Sequence, residues 1–258
     1  PRAKSWASSW WCARRPASSA PTLPRGIILR TGFLEIFTTR KLTESGAEGS
    51  PHGAPSTGKP PGGGGAWADI GIHALDAMLW MLGSPQVSAV SGFTSDRIIH
   101  SERGVIYDLK ESGAFSGVHT ARRFDPAECD VEEFASGSLR TDAGISLNFK
   151  GAWAANLSDR NNMMILGDKS GLTLPELKLY GTLGENQTDF SPRLFGLGEY
   201  DDRPFAGHYY LIRHVIGVLN GTESLMITPQ QVINTAATLE MFYRSSELGR
   251  EVRRSEIM

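Results

Sequence analysis

Asp69, His73 and Asp76 stand four and then three residues apart in the segment Gly62-Gly63-Gly64-Gly65-Ala66-Trp67-Ala68-Asp69-Ile70-Gly71-Ile72-His73-Ala74-Leu75-Asp76. At roughly 100° per residue, an α-helix sets His73 about 40° to one side of Asp69 and Asp76 about 20° to the other, so the three share one polar stripe. The apolar residues take the opposite arc. A carboxylate one turn before an imidazole can fix its tautomer and raise its basicity, as a general base for a hydroxyl proton requires. The glycines let a backbone or a ligand come close to the helix start. A structural reading stands beside this one: Asp69 as an N-terminal cap and His73 as a satisfied, partly buried histidine.

Other chemistries find less support. As metal ligands the three side chains fall short, because a hard-ion or zinc site recruits further ligands from another element and no spacing marks any; no metal site is expected. Gly53-Ala-Pro-Ser-Thr-Gly58-Lys59-Pro60 nearly matches a phosphate-binding P-loop, but Pro60 offers neither the hydroxyl for magnesium nor the N–H for phosphate. No G-x-G-x-x-G follows a strand, Gly196-Leu-Gly198 lacks the third glycine and the helix, and no G-x-S-x-G elbow is present. No cofactor-binding residue is assigned. His208 and His214, six apart, read as surface or packing residues.

The elements that must position the stripe follow from periodicity. Residues 1–30 are rich in Ser, Ala, Pro, Arg and Trp, with no acidic residue before Glu35, and are expected to form an irregular segment ahead of one domain over 31–258. Phe33 to Leu42 reads as a strand and 44–65 as a long loop. Ala66 to Leu82 repeats apolar residues at helical spacing until Gly83 and Pro85 stop it. Residues 86–95 alternate as a strand; 99–128 are irregular and polar. Val131 to Leu139 and Ile145 to Trp153 flank Asp142-Ala143-Gly144, as in an antiparallel hairpin with Ile145, Leu147, Phe149, Gly151 and Trp153 on one face. Short strands are expected at 163–167, 172–174 and 177–181. Two helices close the chain. The first carries a stripe of His208, Leu211, Ile212, Val215, Ile216 and Leu219 and ends at Asn220-Gly221. The second opens with Thr228 as N-cap, Pro229 at the first helical position and Gln231 completing a capping box, and stops near Gly249. Strands clustered together with helices before and after them predict an α+β fold: one large, mostly antiparallel open sheet with helices on one face.

Composition bounds the partners. The 258 residues contain 26 Lys and Arg against 28 Asp and Glu, a formal net charge of -2, so no global basic field exists to hold nucleic acid or an acidic membrane. No apolar run approaches the roughly 18 residues of a membrane span. Cys12 and Cys129 are too few and too far apart for a disulfide framework or a cysteine zinc site, which fits a reducing, cytoplasmic compartment.

With Gly63-Gly64-Gly65-x-x-x-Asp69-x-Gly71-x-His73-x-x-Asp76 in view, the chain resembles the glucose–fructose oxidoreductase, inositol dehydrogenase and rhizopine-catabolism (Gfo/Idh/MocA) family. Asp130-Val131-Glu132-Glu133-Phe134-Ala135 with the hairpin to Trp153 looks like that family's central strands, and Thr228-Pro229 through Tyr243-Arg244-Ser245-Ser246-Glu247-Leu248-Gly249-Arg250-Glu251-Val252 looks like its closing helix. The likeness covers about residues 33–252 and is to the family's C-terminal domain, without the N-terminal Rossmann domain that binds NAD or NADP. The resemblance implies an NAD(P)-dependent oxidoreductase of sugars or polyols, of which this chain is the substrate-binding and oligomerisation half, not catalytically complete alone and not holding the cofactor tightly. It implies His73 as the proton-transfer residue, Asp69 as its orienting or substrate-binding partner, Gly63, Gly64 and Gly65 near substrate, and Asp76 in helix packing or capping. A homodimer or homotetramer through the sheet is implied as well. The alternative is a non-enzymatic oligomerisation or carbohydrate-binding module derived from the same family.

Overall fold

A computed structural model of the chain describes residues 33–39, 64–98, 100, 130–153, 161–174, 177–190 and 206–258. The irregular leader, most of the glycine-rich loop with Gly63 and the P-loop-like stretch, the polar stretch apart from His100, Gly196-Leu-Gly198 and both cysteines lie outside these residues.

Among the described residues nine strands form one sheet: β1 (Phe33–Thr39), β2 (Val87–Ser95), β3 (Phe134–Thr141), β4 (Ser146–Ala152), β5 (Asn161–Leu166), β6 (Ser170–Leu174), β7 (Lys178–Leu183), β8 (Asn186–Phe190) and β9 (Val252–Arg253). Their order is β8-β7-β6-β5-β1-β4-β3-β2-β9. Every pairing is antiparallel except β1 with β4, which run parallel with Phe33 beside Ser146 and Thr39 beside Ala152. The fold is α+β, as the clustering of strands predicts. The β3–β4 hairpin pairs Phe134 with Ala152 and Arg140 with Ser146, and Gly144 takes a φ of 75° in its turn. The alternation over 145–153 is realised in burial, with Ile145, Leu147, Phe149 and Trp153 all inside. β8 has no counterpart in the sequence reading.

The helices are α1 (Ile72–Met81), α2 (Ala206–Leu219) and α3 (Pro229–Leu248). α1 and α3 contribute Leu75, Met78, Met241 and Phe242 to a core shared with Val90, Leu139, Leu147 and Phe149 of the sheet. The single α-helix expected over 66–82 is corrected here. Trp67–Gly71 is a π turn, closed by the Ile72 N–H donating to the Trp67 carbonyl five residues back. The physical reason is Trp67. Its ring is fully buried, stacked on Phe149 with centroids 4.1 Å apart, and it lies where a side chain on residue 71 would project. Only a glycine at 71 lets the backbone pass the indole, and the turn widens there.

α3 starts and stops where its local signals place it. Thr228 accepts from the Gln231 N–H, Gln231 accepts from the Thr228 N–H, and Gly249 is left-handed at φ 64°. α2 is formed as expected and ends before Gly221, but its apolar stripe faces outward: Ile212, Val215, Ile216 and Leu219 are exposed. His214 is clasped in the loop that follows, its Nδ1 2.6 Å from Glu223 and its Nε2 accepting from the Met226 N–H. No helix among the described residues is long and apolar enough to cross a membrane.

Candidate functional site

The turn that carries Asp69 and the first turn of α1 that carries His73 begin with backbone N–H groups that need acceptors. No side chain of the turn itself supplies one. Asp69 is therefore not the N-cap that the structural reading allowed; it sits inside the turn, its own N–H donating to the Gly65 carbonyl at 3.0 Å. The acceptors come from Glu132, 65 to 67 residues along the chain. Its Oε2 accepts from the Gly65 N–H at 2.8 Å, its Oε1 from the Trp67 N–H at 3.0 Å, and its main-chain carbonyl from the Ala66 N–H at 2.9 Å. Tyr243 of α3 donates its hydroxyl to Oε1 at 2.8 Å. Glu132 is only 7% exposed, and a buried carboxylate is tolerable when its lone pairs are used in this way. Burial first, and the neighbouring carboxylate second, push the Tyr243 phenol far above its ordinary range, so it remains a donor at every physiological pH.

Glu132 explains the glycines. A side chain on Gly65 would overlap the Glu132 carbonyl and lie 2.7 Å from its carboxylate; one on Gly64 would overlap the Tyr243 hydroxyl. The close approach that the glycine run permits is thus made, at these two positions, by protein groups. Gly63, the third glycine assigned to substrate, lies outside the described residues.

Trp153, just past the end of β4, donates its indole N–H to Asp69 Oδ2 at 2.9 Å. Among the described residues nothing bonds the other oxygen of Asp69, and no hydrogen bond joins Asp69 to His73. His73 is exposed, with its imidazole free of hydrogen bonds and ion pairs to described residues. It is not the satisfied, partly buried histidine of the structural reading. Asp76, the third member of the stripe, accepts from Thr235 Oγ1 at 3.4 Å and so faces α3. The stripe is divided: Asp76 serves helix packing, while Asp69 and His73 are left on the surface side. Among the described residues no group of three or more His, Cys, Asp or Glu side chains could hold a metal ion. Glu132, Trp153 and Tyr243 were missed as members of the site. The sequence signals were present as an acidic residue before a strand and an aromatic one after its partner, but neither has a local partner to reveal its role.

An open, mostly antiparallel sheet packed against α1 and α3, with an aspartate in the turn before α1 and a histidine in its first turn, makes this an α+β domain. The GFO/IDH/MocA C-terminal domain family matches residues 37–173, more than half of the chain, and the chain belongs to that family. D-glucoside 3-dehydrogenase of Escherichia coli (strain K12) is 26% identical over 223 residues, which cover 86% of this chain and 57% of that protein. Among solved structures, an oxidoreductase from Agrobacterium radiobacter in complex with NAD+, L-tartaric acid and magnesium shares the fold with a TM-score of 0.54 at 18% identity, over 88% of this chain and 57% of that one. An aldose-aldose oxidoreductase from Caulobacter crescentus complexed with glycerol does so with a TM-score of 0.55 at 17% identity, over 88% and 56%. The chain spans a little over half the length of these relatives.

The family implies a nicotinamide dinucleotide, and the described residues do not fit one at the start of the turn before α1. A pyrophosphate seats on bare N–H groups at a helix start. Here those of Gly65, Ala66 and Trp67 are already taken by Glu132, whose negative charge would repel a phosphate.

Proposed function

We propose that the domain over residues 31–258 is the substrate-handling half of an NAD(P)-dependent sugar or polyol oxidoreductase. The observation that carries this reading is the exposed His73 imidazole four residues after an Asp69 carboxylate that, among the described residues, is held by one oxygen only. An accessible imidazole can take the proton of a carbinol hydroxyl and return it in the reverse direction. The oxygen of Asp69 that Trp153 leaves unbonded can accept a hydrogen bond from a neighbouring hydroxyl and so orient the polyol. The name of the Escherichia coli relative supports a glucoside as the substrate class, and the two widely separated cysteines support a reducing cytoplasm. The family resemblance implies assembly of copies through the sheet as a homodimer or homotetramer.

The test is a calorimetric titration of the chain with methyl β-D-glucoside. His73→Ala and Asp69→Asn should each weaken binding at least about tenfold, which is about 1.4 kcal/mol. Binding that is equal in all three proteins would return the chain to the alternative reading, a carbohydrate-binding module without catalysis. In equilibrium dialysis NADH should be retained only in the millimolar range, and micromolar retention would overturn the division of labour proposed here.

A further inference from the structure

The two groups that hold the Asp69 turn come from one place. Glu132 precedes β3 and Trp153 follows β4, and Phe134 pairs with Ala152 at that open end of the hairpin. The ladder continues one step beyond the strands, with the Trp153 N–H donating to the Glu133 carbonyl at 2.8 Å. The hairpin end therefore presents two side chains at a spacing fixed by backbone hydrogen bonds. Glu132 grips the N–H groups at residues 65 and 67, and Trp153 grips the carboxylate of Asp69. Both are nearly buried, at 7% and 5% exposure, so neither side chain has room to swing elsewhere. Tyr243 braces the first grip from α3.

From this geometry we infer that Glu132 and Trp153 act as a two-point clamp that sets the position of Asp69 and His73 on the sheet. They are positioning residues, and nothing in the arrangement asks either to touch substrate. Four donors converging on Glu132, three on its carboxylate and the Ala66 N–H on its main-chain carbonyl, resist translation of the turn along the hairpin. The Trp153 bond removes the remaining freedom, rotation of the Asp69 carboxylate, and so selects which oxygen faces outward. Tyr243 acts one step further back, since its hydroxyl fixes the orientation of the Glu132 carboxylate. The inference rests on the proposed function for its purpose, but the clamp itself is a statement about the turn.

The experiment compares the full chain with Glu132→Gln by amide hydrogen exchange and by the NMR resonance of the Trp153 indole N–H. Glutamine keeps the size but puts an NH2 against one of the donors in either orientation. Exchange at Gly65 and Trp67 should accelerate at least tenfold and the indole resonance should move, while Leu139 and Leu147 in the hairpin exchange as in the unaltered chain. Methyl β-D-glucoside should bind at least fivefold more weakly. Unchanged exchange and an unmoved indole in a folded variant would overturn the clamp. So would an equal loss of protection in the turn and the ladder, because the carboxylate would then hold only the fold at large. Should Glu132→Gln not fold, Tyr243→Phe decides by the same two readouts: about threefold faster exchange at Trp67 with a moved indole resonance supports the clamp, and no change in either overturns it. If the unaltered chain binds no glucoside, the substrate reading fails, and the exchange and indole readouts still decide the clamp.

Discussion

Helix α3 carries its own beginning and end, whereas the π turn before α1 borrows its beginning from another part of the chain. In α3, Thr228 and Gln231 exchange hydrogen bonds three residues apart, and Gly249 closes the other end in the left-handed region. In the π turn, the N–H groups of residues 65 to 67 go to Glu132, more than sixty residues away. A local cap stabilises a helix wherever that helix lies. A borrowed cap stabilises it only in one position, which suits an element that must present Asp69 and His73 in a fixed place.

The contrast yields an ordered set of outcomes. Glu132→Ala strands two buried donors and the Tyr243 hydroxyl, and should lower stability by about 3 kcal/mol in urea unfolding; a loss no larger than that of a helix cap would erase the distinction between the two kinds of start. Gly65→Ala forces a methyl group against the Glu132 carbonyl and should cost about 2 kcal/mol in the same measurement, with the turn displaced and the core intact. Thr228→Ala removes a local cap and should cost about 1 kcal/mol, leaving the exchange rates of Gly65 and Trp67 as they were.

The smallest effect belongs to the chain end. Arg250 first, and the Arg253 N–H second, hold the Glu256 carboxyl at about 2, below its ordinary 4.5. Because the folded value is depressed, the contribution is complete above about 4.5 and is lost as the pH falls toward 2. Both side chains are solvent-exposed, so carbon NMR of the Glu256 carboxyl should trace this titration with little change in the unfolding midpoint.

Legibility in the sequence followed the same division. α3, the β3–β4 hairpin and the apolar face from Ile145 to Trp153 rest on neighbours in sequence or on strict alternation, and they were readable. β8 was not, because Asn186-Gln-Thr-Asp-Phe190 has no alternating apolar residues; it is an edge strand held by backbone pairing to β7. The π turn escaped because its cause is the Trp67 ring lying over Gly71, which periodicity does not encode. At the site, the stripe of Asp69, His73 and Asp76 was visible as a stripe, but the sequence gives no sign that Asp76 turns to Thr235 or that Asp69 turns to Trp153. The glycines at 64 and 65 were noticed for the closeness they allow; what comes close is Tyr243 and Glu132.

Trp67 and Trp153 are both buried, yet their indole nitrogens differ: that of Trp153 is bonded to a carboxylate, and that of Trp67 has no acceptor among the described residues. An excited indole in apolar surroundings without a hydrogen-bonding partner emits toward the blue, while one bonded to a carboxylate has a charge within reach of its ring. Two of the chain's six tryptophans are thus optical reporters at the same turn, one sensing the dryness of the core and the other the grip on Asp69. With Trp6, Trp10, Trp11 and Trp80 replaced by phenylalanine, emission from the remaining two would tell melting of the interior from release of the turn.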